Sequence, residues 1–175
     1  FDKYAEKKAI NIFKETPVIK QTNYYLQNIL KRIEKLSSTM IKTKDNNVLY
    51  LLEPIRKNFN EIETNHEFKV LDYFFDNLWK LKLKNIKIRL RPHPSDPKNK
   101  YEKWLENNNR DYDISISKYQ SIESDIAWSD TVVGYETYAL VIGKAASKRC
   151  ITSIPNGEPN CRLMIKDIEY LRDIK

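Results

Sequence analysis

With 175 residues, 41% of them hydrophobic and 31% charged, the chain is long enough to bury a core and is composed like a soluble globular domain. No apolar run approaches the roughly 18 residues a membrane span needs and no signal peptide is visible, although an opening on Phe1 rather than Met leaves room for a leader upstream. A net charge of +7 calls for anionic partners (nucleic acid, an anionic membrane surface or a phosphate-bearing small molecule), while the three glycines, Gly134, Gly143 and Gly157, exclude both a GxGxxG fingerprint and a Walker A loop.

In chain order, residues 3 to 16 and 22 to 42 carry helical spacing, with Tyr25, Ile29, Ile33 and Leu36 on one face among lysines and glutamates. The polar break from Lys42 to Asn47 sets a boundary near residue 45, between a helical segment over 1–44 and a Rossmann-like domain over 45–175. "NNVLYLLEPI" is a short continuous apolar run ending at Pro54, the pattern of a strand buried on both faces. After a loop through Asn65, "HEFKVLDYFFDNLWKLKLK" places Phe68, Leu71, Phe74, Phe75, Leu78 and Trp79 on one helical face. Trp79 and Trp104 both fall in core patterns. A strand from Ile86, a short helix in "YEKWLENNN", a strand in "YDISIS", a helix in "SIESDIAWSD", a strand in "TVVGYET", a helix in "YALVIGKAAS" and a last strand in "RCITSIP" continue the alternation. The pattern predicts an α/β fold: a Rossmann-like parallel sheet of about five strands, flanked by helices, with the N-terminal helices packed at its side.

In "IKIRLRPHPSDP" the alternation of Ile86, Ile88 and Leu90 with Lys87, Arg89 and Arg91 stops at two prolines around one histidine. Pro92 and Pro94 fix φ and remove two backbone donors, so the strand ends there and His93 sits at its carboxyl edge. Taken alone, Pro-His-Pro is also what a rigid turn looks like. Parallel topology sends every strand-to-helix loop to one side, so the loops after 91, 117, 134 and 154 are expected to gather His93, Ser95, Ser121, Glu136, Thr137 and "IPNGE". In "SDTVVGYETYAL" a strand ends at Gly134, where the backbone has room to approach a ligand, and Thr137 stands at or near a helix N-terminus. Free N–H groups, the helix dipole and a hydroxyl would together suit an anion.

The series "RPHPSD", "SIESD", "SDTVVGYETYALVIGKAA" and "ITSIP" resembles the C-terminal nucleotide-binding lobe of GT-B type bacterial glycosyltransferases, the sialyltransferases and related capsule enzymes that use CMP-activated nonulosonic acids. The resemblance covers roughly residues 45 to 155, and its weight lies in the order and spacing of the motifs. It implies that His93-Pro94 lies close to the nucleotide phosphate. It also implies that Glu136-Thr137 stands where those families carry a Ser-Ser or Ser-Thr pair on the helix that holds the same phosphate. Glu136 departs from that pattern. On this reading the site is His93, Pro94, Ser95, Gly134, Glu136 and Thr137, with His93 catalytic, Glu136 toward ribose hydroxyls, and no metal or further cofactor beyond the nucleotide-sugar donor. The resemblance further implies a glycan acceptor, a general base from a second lobe, and a cytoplasmic location with peripheral contact to the inner membrane face. The likeness leaves the oligomeric state open.

Three other readings compete. Asp111-Tyr112-Asp113 fits the Asp-x-Asp pattern of metal-dependent transferases, but it precedes a strand, on the opposite end from His93, and oxygen-ligand sites need several convergent carboxylates. A non-enzymatic nucleic-acid-binding domain would suit the charge, yet the lysines are scattered rather than striped, so nucleic acid is not the expected partner. A CDP-glycerol or CDP-ribitol type polymerase lobe shares the architecture and also places His-Pro after a strand. The two cysteines, Cys150 and Cys161, fit neither a zinc motif nor a disulfide framework and suggest a reducing compartment.

Overall fold

The computed structural model describes residues 3–19, 21–41, 43–55, 66–108, 110–163, 165 and 167–175. The loop expected through Asn65 and the end of the asparagine cluster at 109 lie outside them. The apolar runs form β1 (Asn46–Leu51), β2 (Ile86–Arg91), β3 (Asp113–Ile116), β4 (Thr131–Gly134) and β5 (Arg149–Thr152). A further strand, β6 (Glu169–Tyr170), completes a six-stranded sheet in the order β3-β2-β1-β4-β5-β6, with every neighbouring pair parallel. This is the strand order of a Rossmann sheet. The expected count of about five strands is corrected by β6, which pairs through only two residues and is too short to leave an alternation in the sequence.

Burial on both faces explains why the central strands read as continuous apolar runs. On one face Val48, Tyr50, Ile88, Leu90, Val133 and Ile151 meet α3 (His66–Asp76), a 3₁₀ turn (Leu78–Leu81) and α4 (Lys100–Asn107). On the other, Leu49, Leu51, Val132 and Cys150 meet α2 (Tyr24–Thr39), α5 (Ile122–Trp128) and α6 (Tyr138–Ala145). Helix α6 lies close on the sheet because residue 143 is glycine: a Cβ there would stand 3.2 Å from both Cys150 Sγ and Val132 Cγ2. No helix among the described residues is long and apolar enough to cross a membrane.

Asn23 caps α2, its Oδ1 accepting from Leu26 N at 3.0 Å, and Leu26, Ile29 and Ile33 bury the helix against α5 and α6. The core position expected at Tyr25 belongs to Leu26 instead, and Tyr25 is exposed. Helix α1 (Lys3–Ile12) stops short of residue 16, and Ile10, Ile12 and Phe13 are exposed, so it is α2 that packs at the side of the sheet. The expected single helix from His66 through Trp79 is broken after Asp76. The 3₁₀ turn that follows ends on Lys82 in the left-handed region at φ 53°, and its tighter winding turns Leu78 and Leu81 inward. Trp79 is thereby left 65% exposed, whereas Trp104 is buried as its pattern predicts.

Candidate functional site

The Rossmann order reverses between β1 and β4, so the crevice at the carboxyl ends of those strands is the natural ligand position. Two cavities bear on the choice. The larger, about 750 Å³, lies at the amino-terminal edge between the end of α2 and the strand starts, lined by Ile33, Met40, Asn47, Lys87 and Asp130 among others. The smaller, about 360 Å³, lies at the carboxyl edge and is walled by Leu51, Leu52, the Arg91–Pro94 segment, Gln120 to Glu123, Thr137, Ala139 and Ile142. Only the second is built from strand-to-helix loops, and it is the candidate site despite its size.

Pro92 and Pro94 hold His93 on its wall. Asp96 secures the loop: its Oδ2 accepts from His93 N at 2.9 Å and from Tyr101 Oη at 3.1 Å, while its Oδ1 accepts from Lys100 Nζ at 2.8 Å. Ser95 N donates to His93 Nδ1 at 3.2 Å, and Ser95 Oγ lies 2.7 Å from the same nitrogen. Because Nδ1 accepts a backbone N–H, this hydrogen-bond pattern assigns the proton of the neutral ring to Nε2, leaving that N–H as the ring's donor. Ser95 therefore sets the tautomer of His93 and is not itself on the cavity wall.

Thr137 also lines the cavity and caps α6, its Oγ1 accepting from Ala139 N at 3.4 Å. Gly134 serves the packing behind it: a Cβ there would meet Thr137 Cγ2 at 3.0 Å and Leu51 Cβ at 3.3 Å. The Glu136 carboxylate turns away to Arg162, which binds it through Nε at 3.0 and 3.1 Å, through Nη2 at 2.7 Å and through its backbone N–H. That guanidinium holds the Glu136 carboxyl below its ordinary range. The structure thus brings His93, Pro94, Ser121 and Thr137 to one cavity and sets Ser95, Gly134 and Glu136 behind or beside it.

Further side chains meet at this edge. Glu53, just past β1, accepts with one oxygen from Tyr135 N at 2.9 Å and Glu136 N at 2.8 Å, clasping the turn that leads into Thr137. Burial pushes its carboxyl up to about 6 against those two bonds, which pull it down. His66, at the start of α3, places Nε2 3.1 Å from Glu158 Oε1, and Tyr135 Oη donates to the other oxygen of Glu158. Buried Asp125 draws together Arg89, Arg91 and Ser117. Most of these contacts join residues tens of positions apart, so no local spacing announces them. Asp111 and Asp113 lie at the amino-terminal start of β3, away from His93, and no group of three or more metal-ligating side chains occurs among the described residues.

No family model matches the sequence, and no curated protein does. Among solved structures, the fold is similar to that of a beta Kdo 2,7 transferase, KpsC of Thermosulfurimonas dismutans, with 18% identity over 91% of this chain and 53% of that one at a TM-score of 0.44. It is also similar to a beta Kdo 2,4 transferase described under the same name and organism, with 9% identity over 76% of this chain and 46% of that one at a TM-score of 0.42. The chain therefore spans about half the length of each.

Proposed function

We propose that this domain is the donor-binding lobe of a glycosyltransferase of bacterial surface-glycan synthesis, using a CMP-linked nonulosonic acid. The observation that supports the reading is the convergence of His93, on the loop after β2, and Thr137, the cap of α6, on one cavity beside the switch point. Of the charged side chains on the cavity wall, Arg91 is paired with Asp125 and Glu123 with Arg32 at 3.3 Å. The principal alternative is a CDP-linked alditol, whose two negative charges equal those of a CMP-linked nonulosonic acid with its phosphodiester and its carboxylate, so the nucleotide titration below separates the two.

In the proposed reaction the bond from the sugar to the phosphate oxygen breaks, the acceptor hydroxyl oxygen bonds to the same sugar carbon, and CMP leaves. Negative charge grows on the departing oxygen. His93 Nε2–H donates to it, as hydrogen bond or proton, while Thr137 binds a second phosphate oxygen through its hydroxyl and N–H. The proton of the acceptor hydroxyl passes to a base outside this chain. His93→Ala in the full-length protein is expected to lower kcat about 10²-fold or more with the melting temperature unchanged, since a positioned acid contributes on that scale. Calorimetric titration with CMP, CDP, UMP and a random oligonucleotide checks the ligand class. Near-normal turnover for His93→Ala, or oligonucleotide binding with no response to any nucleotide, would reverse the reading.

A further inference from the structure

A basic strand ending at an anion cavity invites the assignment of its last arginine to the ligand phosphate. The hydrogen bonds of Arg91 run elsewhere. Its Nη1 donates to the carbonyls of Tyr119 at 3.1 Å and Ser121 at 3.3 Å and to Asp125 Oδ2, and its Nη2 donates to the carbonyl of Gln120 at 3.2 Å. One guanidinium thus gathers three successive carbonyls of the loop between β3 and α5. The carboxylate that neutralises it is fully buried and is bound again by Arg89 Nη1 at 3.2 Å and Ser117 Oγ at 2.6 Å. Ser117 Oγ in turn accepts from Tyr119 N at 3.3 Å. The Arg89 guanidinium lies between two rings, 3.8 Å from the centroid of Trp128 and 4.9 Å from that of Tyr119.

We propose that Arg91 is a positioning residue: with Asp125 it winds residues 117–121 into the cavity wall that carries Gln120 and Ser121, and it offers no hydrogen bond to the ligand. The consequence for ligand binding rests on the nucleotide reading above; the consequence for the loop does not. The chemistry of arginine makes the distinction testable. A planar fork of donors spans four acceptors, whereas lysine brings one point charge that holds a phosphate well and three carbonyls plus a carboxylate poorly.

The test is Arg91→Lys in the full-length protein, read two ways. The first reading is tryptic cleavage after Lys118, which is exposed in this loop. Position 91 itself adds no site, because a proline follows it. The second is the Kd for CMP at low and high salt. A wound loop that depends on Arg91 is expected to be cut after Lys118 at least tenfold faster in the variant. The Kd for CMP should rise at least tenfold with the same salt dependence as wild type, and kcat at saturation should stay within about twofold. Asp125→Asn is expected to accelerate the same cleavage. Unchanged cleavage overturns the proposal, whether the Kd for CMP stays at its wild-type value, as for a phosphate ligand whose charge lysine keeps, or rises through the loss of a bidentate contact to the ligand. Should Arg91→Lys fail to fold, Ser117→Ala removes only the hydroxyl bridging Asp125 and Tyr119 N, and it is expected to accelerate the same cleavage by a smaller factor. If wild-type protein binds no nucleotide, the function proposed above falls, while the cleavage rates still decide whether Arg91 holds the loop.

Discussion

Glu53 is the residue whose chemistry is least visible in the sequence and most consequential for the turn before Thr137. Its oxygen satisfies two backbone N–H groups, yet burial raises its carboxyl from an ordinary 4.5 to about 6. The folded state therefore binds the proton more tightly than the unfolded one. The corresponding stabilisation, ~2 kcal/mol, is fully present below pH 4.5 and is lost as pH rises through about 6. A glutamine keeps an acceptor for both N–H groups without the buried charge. Glu53→Gln is thus expected to raise stability by up to about 2 kcal/mol at pH 8 and to change it little at pH 4.5, as denaturant titrations at the two pH values would measure. A loss of stability at pH 8 would show that the ionised clasp outweighs its own desolvation. Of the side chains at this edge, His93 and Thr137 were legible because proline geometry and helix-capping chemistry act within a few residues of chain. Glu53 was not, because its partners lie 82 and 83 positions away. The ion pair of Glu136 was not legible for the same reason: Arg162 reaches it from the loop between β5 and β6.

At the scale of elements, two tryptophans that share a sequence pattern have opposite fates. Trp104 stacks near Phe75, with ring centroids 5.5 Å apart, inside the face formed by α3 and α4, and Trp79 rides the outside of the 3₁₀ turn. Trp104→Ala is expected to lose about 3–5 kcal/mol and Trp79→Ala to stay within about 0.5 kcal/mol, by equilibrium denaturation. A large loss at Trp79 would mean that its ring covers apolar surface in solution. Helical periodicity carried the expectation through Trp79 because it assumes one unbroken winding, and the change of pitch after Asp76 rotates every later side chain. The same physics explains what could be read. Strands β1, β2 and β4 are bounded by prolines, a polar break or glycine and are buried in the sheet interior, so their limits show as composition. Strand β6 is an edge of two residues held by pairing with β5, and composition carries no trace of it.

At the scale of the whole molecule, parallel pairing places all the strand-to-helix loops at one end, and the reversal between β1 and β4 opens that end between two helical layers. Among the described residues, several cations are committed internally: Lys87 to Asp45, Arg110 to Asp72 and Asp76, Arg149 to Glu169. The close seat of α6 on the sheet extends from the cavity, at Thr137, to Cys150 beneath Gly143. Cys150 is 2% exposed, its thiol donates to Leu140 O at 3.5 Å, and burial pushes it up to about 11. The thiolate that would react is scarce at neutral pH and has no path to solvent while the helix is seated. Cys161, on the loop between β5 and β6, is only partly covered. A thiol reagent is therefore expected to modify Cys161 first and Cys150 only when α6 lifts, so the slow phase is a clock for the opening of this helix. A ligand bound at the Thr137 end should lengthen that phase by the factor 1 + [L]/Kd, provided the helix moves as one piece. If Cys150 reacts at one rate with and without CMP, the two ends of α6 move independently.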